Sequence, residues 1–167
     1  MRKAYICFGD GSISTDASPE NLARAWNDPQ AKFWLDIFPP DDSDVAILRD
    51  VFHFHPLAIE DSITYTQRPK VEHYDDSAGG YCYLVYHGPD LETFRKQLRT
   101  KEIDMFVSGR YLVSVHDDLA HSVQELQKRA DADAKKFLED GIDLLLHQLL
   151  DRITDYYQEI LDYLEEA

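Results

Sequence analysis

Apolar positions along this chain switch between two spacings, every second residue in some stretches and every third or fourth in others. These are the periods of strand and helix. Residues 3–8 and 32–38 read as strands, the second carrying Trp34, Leu35, Ile37 and Phe38 before Pro39-Pro40 breaks it. Residues 9–12 read as a turn, 81–87 as a strand of aromatic and β-branched residues, and 90–100 as a polar connection. Residues 103–107 and 111–116 predict a hairpin about Ser108-Gly109-Arg110. Helix starts are marked at Ser18-Pro19-Glu20, at residues 41–44, at His55-Pro56 and at Asp117-Asp118. The last of these leads through Val123, Leu126, Ala130, Ala134, Phe137 and Leu138 to an interruption at Gly141. From Ile142 onward Leu145, Leu146, Leu149, Leu150, Ile153, Tyr157, Ile160, Leu161 and Leu164 form one stripe, with Asp151, Asp155 and Asp162 on the opposite side. No glycine or proline closes this helix, so the chain reads as cut from a longer protein. Intermixed strands and helices with one hairpin predict an α/β domain, a mixed sheet with helices on its faces.

The 167 residues suffice for one domain with a sizeable core, and no repeat or low-complexity tract divides them. The net charge of −15 removes nucleic acid from the expected partners, because phosphate neutralisation needs a basic patch. The same excess of carboxylates serves solubility or attracts cations. Cys7 and Cys82 lie in separate apolar runs with no metal-ligand spacing and read as reduced core residues of a cytosolic protein. There is no signal peptide, and no apolar run reaches the roughly 18 residues that a membrane-spanning helix needs. Nucleophile-elbow, P-loop and dinucleotide motifs are absent, so the chain is not expected to be an enzyme.

Residues 55–76, HPLAIEDSITYTQRPKVEHYDD, concentrate the candidate chemistry. Pro56 suits the first helical position, whose N–H has no partner within the helix. Leu57, Ile59 and Ile63 supply apolar contacts, and Glu60 and Asp61 fall near a helix start, where the dipole favours negative charge. Pro69 forces Arg68 out of helical geometry and ends the helix. On these grounds alone Glu60 and Asp61 are solvated carboxylates of a surface helix or ligands for a hard divalent cation, which takes one or two carboxylates and keeps several waters. His53 and His55 form an H-x-H pair, but they straddle a helix boundary and no third zinc ligand is indicated. Glu72, His73, Asp75 and Asp76 read as a polar entry to a strand.

The order His-Pro-Leu, Glu-Asp, Gln-Arg-Pro-Lys-Val-Glu closely resembles the N-terminal cytoplasmic domain of CorA-type magnesium transporters, and weaker similarity covers the remainder of the chain. The resemblance implies an α/β/α sandwich with a mixed sheet over residues 1–141, leading into the start of a long stalk helix over residues 142–167. It implies a homopentamer on the cytoplasmic side of the inner or plasma membrane, with transmembrane helices and a Gly-Met-Asn pore motif C-terminal to this region. It places Glu60, Asp61 and Asp151 at regulatory Mg²⁺ sites between subunits, incomplete without an acidic residue later in the stalk. A glycine usually stands where this chain has His53, and residues 77–80 are an insertion relative to the family. Two alternatives accompany this reading: a zinc-transporting relative in the same superfamily, and a free-standing metal-dependent enzyme using His53, His55 and nearby carboxylates.

Overall fold

The computed structural model describes residues 1–65, 67–75, 79–90, 93–94, 96–97, 99–117 and 120–166. Its strands are β1 (Arg2–Cys7), β2 (Ile13–Ser14), β3 (Lys32–Ile37), β4 (Lys70–Tyr74), β5 (Tyr81–Pro89), β6 (Thr100–Val107) and β7 (Tyr111–Val115). Its α-helices are α1 (Pro19–Asn27), α2 (Asp42–Ala46), α3 (Pro56–Thr64), α4 (His121–Ala132), α5 (Ala134–Glu139) and α6 (Ile142–Glu166). The described strands form one seven-stranded sheet in the order β2-β1-β3-β7-β6-β5-β4. β3 and β7 run parallel, and the other neighbouring pairs are antiparallel.

Alternation along the strands builds two cores. Phe33, Leu35, Ile37, Tyr83, Phe106, Tyr111 and Val113 face the layer of α1, α2 and α3. There Phe54 stacks on Phe106 at 4.2 Å, and Trp26, Phe52 and Tyr81 extend the aromatic cluster. Tyr5, Trp34, Ile103, Met105 and Leu112 face the other layer, where α4, α5 and α6 bury Val123, Leu126, Leu138, Leu145, Leu149 and Ile153. The result is the α/β/α sandwich on a mixed sheet, ending in a long helix. Residues 142–153 of that helix pack on the sheet, and further along the same stripe Leu161 and Leu164 are 52% and 58% exposed.

Several local expectations change. The helix begun by the Asp41–Asp44 capping box gives way to a π-helical turn at Ile47–Val51, with the Phe52 N–H donating to the Ile47 carbonyl at 3.1 Å. α4 starts at His121, four residues beyond Asp117, with Ala120 as an N-cap that lends no side-chain hydrogen bond; Asp118 lies outside the described residues. β2 is a two-residue edge strand with too little periodicity to read from sequence. On α3 it is Ala58, Ile59 and Ser62 that face inward, while Leu57 and Ile63 are exposed, because a nine-residue helix offers the sheet only a narrow stripe.

His53 adopts φ +53°, between the π-helical turn and α3. This left-handed backbone crowds Cβ against the carbonyl in any residue but glycine, which gives a physical reason for a glycine at this position. His53→Gly is therefore expected to raise the free energy of unfolding by roughly 0.5–1 kcal/mol in urea denaturation. An unchanged or lower midpoint would show that the turn carries no strain.

Candidate functional site

His55 is the N-cap of α3: its Nδ1 accepts the Leu57 N–H at 3.2 Å. Its ring stacks on Tyr74 at 4.8 Å, and its own N–H donates to the Tyr81 hydroxyl at 2.8 Å. The His-Pro step thus ties the helix start to β4 and β5. Glu60 and Asp61 fall in the second turn, and no acidic residue occupies the first, so the helix dipole is not what holds them. Asp61 is held by Lys70, whose Nζ donates to Asp61 Oδ2 at 2.7 Å and to Glu72 Oε1 at 3.1 Å. The Tyr74 hydroxyl donates to Glu72 Oε2 at 2.9 Å. Donation to Asp61 and then to Glu72 favours the charged amine, raising the Lys70 pKa, and the Lys70 contact lowers that of Glu72. The Pro-Lys-Val-Glu run therefore has a local purpose: strand alternation turns Lys70, Glu72 and Tyr74 towards α3 and leaves Val71 and His73 exposed. Glu60 is exposed and makes no ion pair among the described residues. Asp76 lies outside them.

Asp151 stands on the exposed face of α6, beside a groove of about 430 Å³ lined by Asp143, Leu146, His147, Leu150 and Thr154. Asp155 is 3.6 Å from Arg152, which also pairs with Glu125 at 2.7 Å, and Asp162 accepts from Gln158 at 2.7 Å. Asp61 and Asp151 thus belong to opposite helical layers with the sheet between them. Within one chain the structure does not bring them together, and among the described residues no three His, Cys, Asp or Glu side chains are arranged to hold a metal ion.

Sequence reading missed a buried carboxyl pair, Glu102 and Asp104, on the α3 side of β6. Asp104 is fully buried and accepts from the Tyr83 hydroxyl; Glu102 is 6% exposed and accepts the Gln67 N–H at 3.1 Å. Burial pushes the Asp104 pKa up to about 8, against the Tyr83 hydrogen bond and with help from the Glu102 charge. Burial raises Glu102 as well. The available signal was two acids spaced by two within an apolar strand, which places both on an inward face. The folded chain keeps the Asp104 proton that an unfolded aspartate releases near pH ~4, so this group's contribution declines as pH rises from there to about 8 and is constant above. The stability of Asp104→Asn relative to the parent chain is expected to grow across that window and then level off, as measured by urea titrations at several pH values. A difference that does not vary with pH would contradict it. At His55, Ala is expected to cost about 1 kcal/mol and Asn to recover most of that. Equal losses in both variants would count against the capping role.

Within this sandwich, residues 30–167 match the family described as CorA-like Mg²⁺ transporter protein, and the chain belongs to that family. It is 35% identical over 136 residues to YfjQ of Bacillus subtilis (strain 168), named for metal ion transport, covering 81% of this chain and 40% of that protein. The chain thus spans well under half the length of this relative. The soluble domain of CorA from Methanocaldococcus jannaschii superposes with a TM-score of 0.71 at 20% identity, over 98% of this chain and 60% of that one. The ZntB cytoplasmic domain from Vibrio parahaemolyticus RIMD 2210633 gives 0.66 at 15% identity, over 98% and 62%. At these identities the two structures speak for the fold.

Proposed function

We propose that this chain is the cytoplasmic, Mg²⁺-sensing domain of a CorA-like divalent-ion transporter that works as a homopentamer. The observation that carries this reading is the separation of Asp61 and Asp151. Both are surface carboxylates of the hard-oxygen type that Mg²⁺ prefers. They stand on opposite faces of one sheet, so an ion held by both is held between two chains. Glu60, exposed beside Asp61, adds a third oxygen donor on the α3 side. Metal bound there screens carboxylates that would otherwise repel across the interface, and it favours the assembled, closed state only by binding that state better. Transport is assigned to the transmembrane helices that the family resemblance places C-terminal to this region; no described helix is long and apolar enough to cross a membrane. A zinc-transporting relative is the second reading, and the shared fold is compatible with both. For a metal-dependent enzyme built on His53 and His55, one ring nitrogen of His55 is already committed to capping α3.

In the full-length oligomer, Asp61→Ala and Asp151→Ala are expected to weaken Mg²⁺ binding in calorimetry and to loosen closure. Unchanged binding and gating in both variants would sink the proposal. The present chain alone is expected to bind Mg²⁺ weakly or not at all and to self-associate weakly, so tight pentamers in sedimentation at low concentration would contradict it. Lys70 competes with the metal for Asp61, so Lys70→Met in the full-length oligomer is expected to tighten Mg²⁺ binding by about fivefold, the scale of a partly exposed ion pair.

A further inference from the structure

Glu102 and Asp104 are two residues apart on β6 and leave the sheet on the same side, within hydrogen-bonding reach of each other. Each carboxyl has one oxygen accounted for: Asp104 Oδ1 by the Tyr83 hydroxyl, and Glu102 Oε2 by the Gln67 N–H. The other oxygens, Asp104 Oδ2 and Glu102 Oε1, are buried and meet no donor among the described residues. Buried acceptors without a donor are costly, and two ionised carboxylates in contact away from water repel. A single proton between the two orphan oxygens supplies the missing hydrogen bond and removes one of the two charges. A metal ion is the other way to satisfy them, but a hard cation held by one or two carboxylates keeps several waters, whereas these two oxygens are buried away from solvent, and no third His, Cys, Asp or Glu joins them in a metal-holding group among the described residues.

We propose that Glu102 and Asp104 share one proton in the folded protein, and that this proton latches the segment following α3 to the sheet. The segment is gripped at Gln67, whose N–H donates to Glu102 Oε2 and whose carbonyl accepts from His87 Nε2 at 2.9 Å. Gln67 lies between Asp61 and Lys70, so the grip sets how α3 meets β4. The surroundings act in both directions: burial and the negative charges of Asp61 and Asp117 favour the proton, whereas the Tyr83 hydroxyl, His87 and the Gln67 amide oppose it. From β5 come the Tyr83 hydroxyl and His87, the latter 3.6 Å from Glu102. From α3 and its C-cap come the negative charge of Asp61 and the buried Tyr65 hydroxyl. Asp117, after β7, adds negative charge near Glu102, and Asp44 of α2 acts on Tyr65. The positive charge of Lys70 lies 5.6 Å over the Tyr83 ring. When the proton leaves, two like charges face each other; Glu102, the member that reaches solvent, moves outward and gives up the Gln67 amide. The latch is made by Glu102, Asp104, Tyr83 and Gln67, none of which is a proposed metal ligand.

Carboxyl carbon-13 titration and amide hydrogen exchange at Gln67, from about pH 6 to about pH 9, test it in the parent chain, Asp104→Asn and Glu102→Gln. In the parent, one of the two carboxyls is expected to remain protonated above neutral pH, and the protection of Gln67 to fall about tenfold as that proton leaves. In Asp104→Asn, which carries a permanent N–H donor, protection is expected to stay flat. Both carboxyls ionised at the acid end, or constant Gln67 protection in the parent, would overturn the proposal. So would Mg²⁺ or Ca²⁺ displacing the two carboxyl resonances at the acid end, since the occupant would then be a cation. Should a variant fail to fold, the parent titration decides by itself.

Discussion

β3 lies beside β7 and runs parallel to it, the one parallel contact among the described strands. A parallel pair cannot be closed by a hairpin, so the chain must leave the carboxyl end of β3 and cross a face of the sheet before it returns as β7. It leaves β3 through Phe38 and the proline pair into α2, on one face, and leaves β7 through His116 into α4, on the other. A buried polar network secures this junction. The Trp34 indole donates to Ser114 Oγ at 3.0 Å, and Ser114 donates to Asp36 Oδ1 at 2.6 Å. His116 Nε2 reaches Asp36 at 3.0 Å, and Gln127 of α4 donates to Asp36 Oδ2 at 2.9 Å. With its partners in place such a network specifies one arrangement of strands and helix. The separation of Asp61 from Asp151, and hence the two-chain character of the proposed site, follows from that divergence.

The residues that carry the family resemblance have structural work of their own. His55 caps, Pro56 starts, and Lys70, Glu72 and Tyr74 brace α3 against the edge of the sheet. Under the proposed function Asp61 would serve in both roles, with Lys70 holding its Oδ2 when no metal is bound. A lysine is a compact charge on a flexible stem, so it can yield to a cation without dismantling the helix, whose inward face is made by Ala58, Ile59 and Ser62. Beneath the same segment, the Glu102–Asp104 pair grips Gln67. The region with the candidate ligands is thus held from two sides by ionisable groups, in a protein whose overall charge is strongly negative.

Much of this was legible in order along the chain. The central strands, the α1 start at Ser18-Pro19, the hairpin about Gly109, the proline-started α3 and the long amphipathic α6 all follow from local period and punctuation, since each depends on neighbours a few residues away. What failed did so for a common reason. The π-helical turn, the late start of α4 and the exposure of Leu57 and Ile63 depend on how far each element reaches across the sheet, which no local window contains.

The candidate site divides along the same line. By itself the sequence determined the acidic character of α3 and α6, the family, and the positions of Glu60, Asp61 and Asp151 on surface helices, because motif order and helical period are properties of the chain. Only the tertiary structure decided that Lys70 neutralises Asp61, that Asp61 and Asp151 lie on opposite faces, and that Glu102 and Asp104 are buried together. Those outcomes are set by which strands pair and in which direction, and pairing joins residues far apart in sequence whose interaction leaves no mark on either stretch alone.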